Sequence, residues 1–165
     1  MNTDLWTPAY VAIGSNLDNP AAQVEAALGR MHSLPRCRLV AQSRLYRSIP
    51  LGPREQPDFI NAVAGLLTQL TPRELLLALK QIEADMGRAL PVMRWGPRRI
   101  DLDLLVHGEA RIDEHDLTVP HRGAPSRNFV LYPLCDIAPS LIVPGHGRVS
   151  TLAARVGSDG LAPVK

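Results

Sequence analysis

The stretch Arg94 to Leu105, RWGPRRIDLDLL, sets two carboxylates two residues apart in an apolar run, directly after a loop rich in arginine. Side chains alternate along an extended strand, so Asp101 and Asp103 share one face, about 7 Å apart at Cα, while Leu102, Leu104 and Val106 take the other. Both carboxylates then reach one point in space. A half-exposed strand, apolar inward and polar outward, is the plain alternative. Against it, aspartate is depleted from strands, and two like charges on one face repel unless a cation or an ion pair sits between them. One or two carboxylates completed by water and phosphate oxygens are a usual setting for Mg2+. Residues 88–99 add four arginines and no acid. Guanidinium forks match phosphate oxygens, so a cation bridging the aspartates to a polyphosphate satisfies both sets of charges. An Arg/Asp salt-bridge network without a ligand is the competing arrangement. Parity places Arg99 on the aspartate face, yet Arg98 follows Pro97 before the pleat begins, and parity does not choose between them.

The surrounding pattern supplies elements to hold this strand. Ala9 to Ser15 is a short apolar run closed by Gly-Ser-Asn, which suits a buried strand. Asn19-Pro20 offers a cap and a favoured first helical residue, and Val24, Ala27, Leu28 and Met31 recur at helical spacing. Arg38 to Ser48 reads as a second strand, followed by a loop punctuated by Pro50, Gly52, Pro53 and Pro57. Phe59 to Leu70 returns to strand composition. Thr71 to Glu74, TPRE, is a capping box opening a helix whose stripe is Leu75, Leu79, Ile82 and Met86, with Gly87 as its stop. Beyond a second loop, Arg88 to Pro97, the strand Ile100 to Val106 leads through HGEA into a short pairing strand. Short helices are expected over Asn128 to Cys135 and from Thr151. Strands alternate with helices and hairpin signals lie between some strands, which favours an α+β sheet of mainly antiparallel strands covered by helices.

With 165 residues, 45% of them hydrophobic, the chain has the size of one globular domain, residues 1–165. A net charge of +2, from 18 basic and 16 acidic residues, gives no global field that selects nucleic acid. No run reaches the roughly 18 apolar residues that span a bilayer, and MNTDLWTPAY lacks a leader pattern, so no membrane association and a cytoplasmic location are expected. Cys37 and Cys135 have no metal-type spacing and read as buried reduced thiols. His107, His115 and His146 lack a zinc spacing and suit surface or turn positions. On these grounds alone, a metal-dependent nucleotide-sugar glycosyltransferase, or a non-enzymatic anion- or RNA-binding module using the arginine loop, remains open beside a phosphate-transfer enzyme.

RWGPRRIDLDLL resembles the signature of the 6-hydroxymethyl-7,8-dihydropterin pyrophosphokinases of folate biosynthesis. AIGSNL, PLGPREQPDFINAV, IEADMGR and LTVPH agree with it in the same order along most of the chain. The resemblance implies a ferredoxin-like α+β domain, helices covering both faces of the sheet in three layers, working as a monomer on small molecules. Its reaction would transfer diphosphate from ATP to the hydroxymethyl group of the reduced pterin and release AMP. By motif, Asp101 and Asp103 would bind two Mg2+ ions, and Arg88 and Arg98 would hold phosphate charge, Arg98 rather than Arg99 because it occupies the GPR position. His121 and Arg127 would add phosphate contacts. Glu83 would lie by the nucleoside, and Leu104 and Thr118 would line the adenine pocket. Phe59 and Phe129 would sandwich the pterin, Asn61 would pair with its edge, Ser48, Ile49 and Leu51 would read it through backbone groups, and Trp95 would cover the closed site. The two proline-rich loops, Arg47 to Pro57 and Arg88 to Pro97, would act as lids.

The chain departs from the family pattern at three positions. Leu90 stands where an arginine is common, Arg122 replaces an aromatic residue after the histidine, and Asp116 replaces a basic residue near the adenine. Arg122 is a candidate to offset Leu90.

Overall fold

A computed structural model describes residues 5–50, 55–87 and 99–164. Leu51, Arg88, Leu90, Trp95 and Arg98, with the whole Arg88 to Pro97 loop and the middle of the other lid loop, lie outside the described residues. The elements run β1 (Thr7–Ser15), α1 (Pro20–His32), β2 (Cys37–Gln42), β3 (Tyr46–Ser48), β4 (Phe59–Thr68), α2 (Pro72–Asp85), β5 (Asp101–His107), β6 (Ile112–Glu114), β7 (Leu117–Val119), α3 (Asn128–Ile137), β8 (Ile142–Val143), β9 (Gly147–Arg148), α4 (Val149–Val156) and β10 (Leu161–Pro163). The main sheet has the order β10-β3-β4-β1-β5, with β2 also on β4. All its pairings are antiparallel. None of the described helices is long and apolar enough to cross a membrane.

Period-two alternation on β1 and β4 divides the core between the two faces of the sheet. Ala9, Val11, Ile13, Ile60, Ala62, Ala64 and Leu66 pack with Val24, Ala27, Leu28 and Met31 of α1 and with Leu75, Leu79 and Ile82 of α2. Tyr10, Ala12 and Val63 face Val130, Leu131 and Leu134 of α3 and Leu152 and Ala153 of α4. Each fully buried leucine contributes roughly 1.5–3 kcal/mol by leaving water. The α2 capping box is formed in both directions: Glu74 N–H donates to Thr71 Oγ1 at 3.1 Å, and Thr71 N–H to Glu74 Oε1 at 2.9 Å. Gly87 ends that helix at φ +80°.

Several expectations from the sequence change. Arg38 to Ser48 is two strands rather than one, because Ser43 replaces ladder bonds with its side chain: Val63 N–H donates to Ser43 Oγ at 2.9 Å, and that hydroxyl donates to Arg44 O at 2.7 Å. Asn19 precedes α1 in the left-handed region (φ 62°) and makes no side-chain cap; asparagine tolerates that conformation, and this is its contribution. β6 pairs with β7, not with β5. Val106 does not share a face with Leu102 and Leu104. A register shift where Tyr10 pairs with Val106 and Val11 with Leu104 leaves Leu105 as an extra residue, which turns Val106 toward the α3/α4 core. His107 is buried rather than exposed, its Nε2 2.9 Å from Leu70 O. Cys37 and Cys135 are free thiols, Cys37 buried 3.1 Å from Thr68 Oγ1 and Cys135 half-buried.

Candidate active site

On the α3/α4 face the sheet carries a row of unequal side chains. Gly14 on β1 pairs with Asn61 on one side and Asp101 on the other, and Ala12 pairs with Val63 and Asp103. Small residues in the middle strand and larger ones beside it make a trough, with Phe59 and Asn61 on one bank and the aspartates on the other. Its floor is close: a Cβ on Gly14 would lie 3.4 Å from Asn61 Oδ1 and 3.8 Å from Phe59 Cδ1. This trough belongs to a cavity of about 570 Å³ whose lining extends around the edge of β5 to Leu76 and Lys80 of α2 and to Asp116, Leu117 and Thr118 of the β6–β7 hairpin. Asp101 and Asp103 thus stand between a trough edged with aromatic and amide groups and a cleft between helix and hairpin.

The structure gathers most of the expected residues around this cavity: Ser48, Ile49, Phe59, Asn61, Asp101, Asp103, Leu104, Thr118, His121, Arg127 and Phe129 line it. Asn61 Nδ2 donates to Ser48 Oγ at 2.7 Å, which fixes the amide and leaves its carbonyl toward Gly14 and the trough. Glu83 is placed differently from its expected position by the nucleoside. It is 2% exposed and does not line the cavity. Its Oε2 accepts Leu102 N–H at 2.7 Å, and Lys80 Nζ lies 3.4 Å from Oε1. β5 is the last strand of its sheet, so the carboxylate occupies an outward N–H on the sheet's edge. Arg99 turns away from the aspartates to Asp18, at 2.6 Å, and its guanidinium packs over Gly87.

Asp103 is held close to like charges. Burial, then Asp101, then Glu83 push the Asp103 carboxyl up to about 7, and Lys80 and Arg127 only partly oppose this. Among the described residues no three His, Cys, Asp or Glu side chains converge as a metal cage. Two adjacent carboxylates facing an open cavity fit Mg2+, which takes its remaining oxygens from water and phosphate.

His121 is oriented by the chain that follows it. Gly123 N–H donates to His121 Nδ1 at 3.0 Å, so Nδ1 is an acceptor and the neutral ring carries its proton on Nε2. Nε2 lies 3.8 Å from Asp103 Oδ1. Burial first, and Arg127 second, lower the His121 pKa, consistent with an imidazole held neutral. A side chain at Gly123 would collide with the Arg127 guanidinium, so one glycine both orients the histidine and leaves room for the arginine. Of the departures, Asp116 is bound by Arg73 at 3.0 Å, and Arg122 lies at the cavity rim 3.4 Å from Asp113.

Sequence reasoning passed over Gly14, Lys80, Leu76 and Gly123. Lys80 and Leu76 carried a signal, since i and i+4 positions share a helix face. The floor at Gly14 depends on cross-strand register, which no local pattern reports.

A family model described as 7,8-dihydro-6-hydroxymethylpterin-pyrophosphokinase (HPPK) matches residues 10–139. A Pseudomonas aeruginosa protein named 2-amino-4-hydroxy-6-hydroxymethyldihydropteridine pyrophosphokinase is 49% identical over 152 residues, covering 92% of this chain and 93% of its own. A Haemophilus influenzae protein of the same name is 44% identical over 144 residues, covering 87% and 89%. A crystal structure of a Plasmodium falciparum HPPK-DHPS triple mutant with pteroate shares the fold at TM-score 0.73 and 14% identity, across 96% of this chain and 46% of that longer one. The match to the family model and the identity along nearly the whole length of these relatives show that the chain belongs to the 7,8-dihydro-6-hydroxymethylpterin-pyrophosphokinase family.

Proposed function

We propose that the protein transfers the terminal diphosphate of ATP to the hydroxymethyl group of 6-hydroxymethyl-7,8-dihydropterin, giving AMP and the pterin diphosphate, a step of folate synthesis. The observation that carries this reading is the position of Asp101 and Asp103 at the junction of two differently built lobes of one cavity. The trough bounded by Phe59, Asn61 and Phe129 suits a flat heterocycle with donors and acceptors on its edge. The cleft among Leu76, Leu104, Leu117 and Thr118 suits a nucleobase. The reacting phosphorus then falls beside the carboxylates. The pterin hydroxyl oxygen bonds to the β-phosphorus as its proton passes to solvent, the bond from that phosphorus to the α,β-bridging oxygen breaks, and AMP leaves with that oxygen; no protein nucleophile is required.

Asp101 and Asp103 would hold Mg2+, two ions in this reading, whose chemistry is to neutralise phosphate charge and align entering and leaving oxygens. The remaining work belongs to the protein. Stacking between Phe59 and Phe129 orients the pterin, and the Asn61 carbonyl, fixed by Ser48, accepts from its edge. Nε2–H of His121 and the Arg127 guanidinium offer donors to phosphate oxygens. Arg88 and Arg98 would supply the charge that moves with the leaving AMP, and Trp95 and Leu51 would complete the pterin end. Two helices on each face of the antiparallel sheet support the ferredoxin-like, three-layer description, and one cavity served by all layers supports a single domain over residues 1–165. We further read the protein as a cytoplasmic monomer acting on small molecules, with neither nucleic acid nor membrane as a partner.

The test is incubation with ATP, Mg2+ and the reduced hydroxymethylpterin, followed by separation of nucleotides. AMP formed only with pterin, together with a diphosphorylated pterin, is expected. ADP as product, or AMP release independent of pterin, would overturn the reading, as would full activity in Asp101→Asn or Asp103→Asn.

A further inference from the structure

The segment that ends in β10 reaches two sides of the heterocycle end, the end of β3 and the start of α3. Leu161, Ala162 and Pro163 pair with Ser48, Arg47 and Tyr46 of β3. Ile49 N–H donates to Gly160 O at 3.2 Å, and Asn128 Nδ2 donates to Asp159 O at 2.9 Å. Ser48 and Ile49 lie on one side of the pocket, and Asn128 immediately precedes Phe129 on the other. Gly160 sits at φ +75°, and a Cβ there would lie 3.1 Å from Ile49 Cδ1. That spacing is tight enough to push Ile49, which is 57% exposed and lines the cavity.

We propose that Ser158 to Pro163 is a strap that sets the width of the heterocycle end, Gly160 fixing Ile49 and Asp159 fixing Asn128 and thereby Phe129. The strap is a specificity-determining element of the acceptor site. Its residues are positioning residues, because none of Ser158 to Pro163 lines the cavity. A glycine is required at 160 because the left-handed backbone and the nearness of Ile49 both disfavour a side chain. The ties act on the pterin end alone: the β6–β7 hairpin and α2, which wall the nucleotide cleft, have no bond to the strap among those described.

This inference rests on the proposed pterin site, and the experiment separates the two. Steady-state kinetics and direct titration of the pterin are measured for the wild type, Gly160→Val, Ile49→Ala, the double variant and Asn128→Ala, with circular dichroism to confirm folding. Gly160→Val is expected to raise the pterin KM and dissociation constant about tenfold, with ATP KM and kcat within about twofold. In the Ile49→Ala background the two nearest atoms are gone and only the Cβ of residue 49 remains, 3.8 Å from the added Cβ, so the effect of the same valine should shrink to about twofold, a non-additivity that a general loss of structure does not produce. Asn128→Ala, which removes one hydrogen bond and keeps the fold, should weaken pterin alone by about threefold. The strap is refuted if a folded Gly160→Val binds pterin like the wild type, if ATP and pterin weaken together, or, should the valine variant not fold, if Asn128→Ala leaves pterin binding unchanged. A wild type that neither binds nor turns over the pterin removes the underlying site reading and the strap with it.

Discussion

The Glu83 carboxylate accepts the backbone N–H of Leu102 at 2.7 Å, from the edge of the strand that carries Asp101 and Asp103. One buried acid thereby holds the residue between the two proposed metal ligands. Glu83→Ala leaves that N–H without its acceptor and Lys80 without its carboxylate. A lost buried partner costs about 1–3 kcal/mol, which for a chain of this size is a fall of roughly 2–12 °C in Tm. Glu83→Gln keeps an acceptor and should restore most of the Tm. Thermal unfolding of both variants checks this; equal losses would show that charge, not the hydrogen bond, holds the strand.

Asp103 links the site to pH. Its carboxyl is raised to about 7 by burial, by Asp101 and by Glu83, in that order. A carboxyl with a higher pKa in the fold keeps its proton there after the unfolded chain has lost it. Folding then takes up a proton, and its contribution to stability declines from about pH 4 to about pH 7 and stays flat above. His121, whose pKa is lowered, acts in the opposite sense, costing stability as pH falls through its range. The difference between wild type and Asp103→Asn isolates the aspartate. In EDTA, the wild-type Tm should fall relative to the variant between pH 5 and pH 7.5, and Mg2+ should raise the wild-type Tm more at pH 8 than at pH 5.5. Parallel Tm curves for the two proteins would remove Asp103 as the source.

The trough floor makes a third prediction. A Cβ at Gly14 meets Asn61 and Phe59 at ordinary van der Waals distances, so Gly14→Ala folds. Alanine restricts the unfolded chain more than glycine, so stability should hold or rise by about 0.5 kcal/mol. The methyl group occupies the trough, and the pterin KM should rise by about tenfold or more with the ATP KM little changed. A variant that keeps its wild-type pterin KM would place the heterocycle elsewhere in the cavity.

What was legible in the sequence was local. The Thr71–Glu74 capping box and the Leu75, Leu79, Ile82 stripe follow from bonds and burial within a few residues of each other, and α2 forms as its pattern states. The aspartate alternation was also legible, but only up to Leu105. There the register against β1 inserts an extra residue, and a strand's own pattern does not contain its partner's. Glu83 adjoins Ile82 on α2; its burial arises with its bond to the edge of β5, an element distant in sequence. The cavity residues beyond the aspartate strand came from family resemblance rather than spacing, since His121, Arg127 and Phe129 converge only after the turn through Gly123 is built.

Arg122, on the cavity rim, faces Asp113 at 3.4 Å, and both are largely exposed, 79% and 83% at the side chain. Such a pair holds its geometry weakly and leaves Arg122 able to turn toward phosphate. If it offsets Leu90, Arg122→Ala raises the ATP KM about threefold to tenfold at low salt and less at 0.5 M NaCl, because exposed charges are screened. Kinetics at the two salt concentrations decide; intact ATP affinity and turnover in the variant would end that assignment.

The proposed nucleotide cleft depends on a different arginine. Arg73, in the first turn of α2, reaches Asp116 at 3.0 and 3.1 Å and Glu114 at 2.9 Å, fastening the β6–β7 hairpin to the helix. The hairpin carries Asp116, Leu117 and Thr118 of the cleft wall, and α2 carries Leu76 and Lys80 opposite. Asp116 lines the cleft while both of its carboxylate oxygens are held by Arg73. Arg73→Ala should therefore loosen the wall without touching the trough, raising the ATP KM up to about fivefold while the pterin KM stays put. The bidentate geometry is specific, so Arg73→Lys should recover only part of the loss. Reversing the pair, Arg73→Asp with Asp116→Arg, should recover more than either single change allows, and a double-mutant cycle on ATP KM measures the coupling. If the two changes simply add, the hairpin is held by Leu117 and Val119 in the core, and Arg73 is only a surface charge.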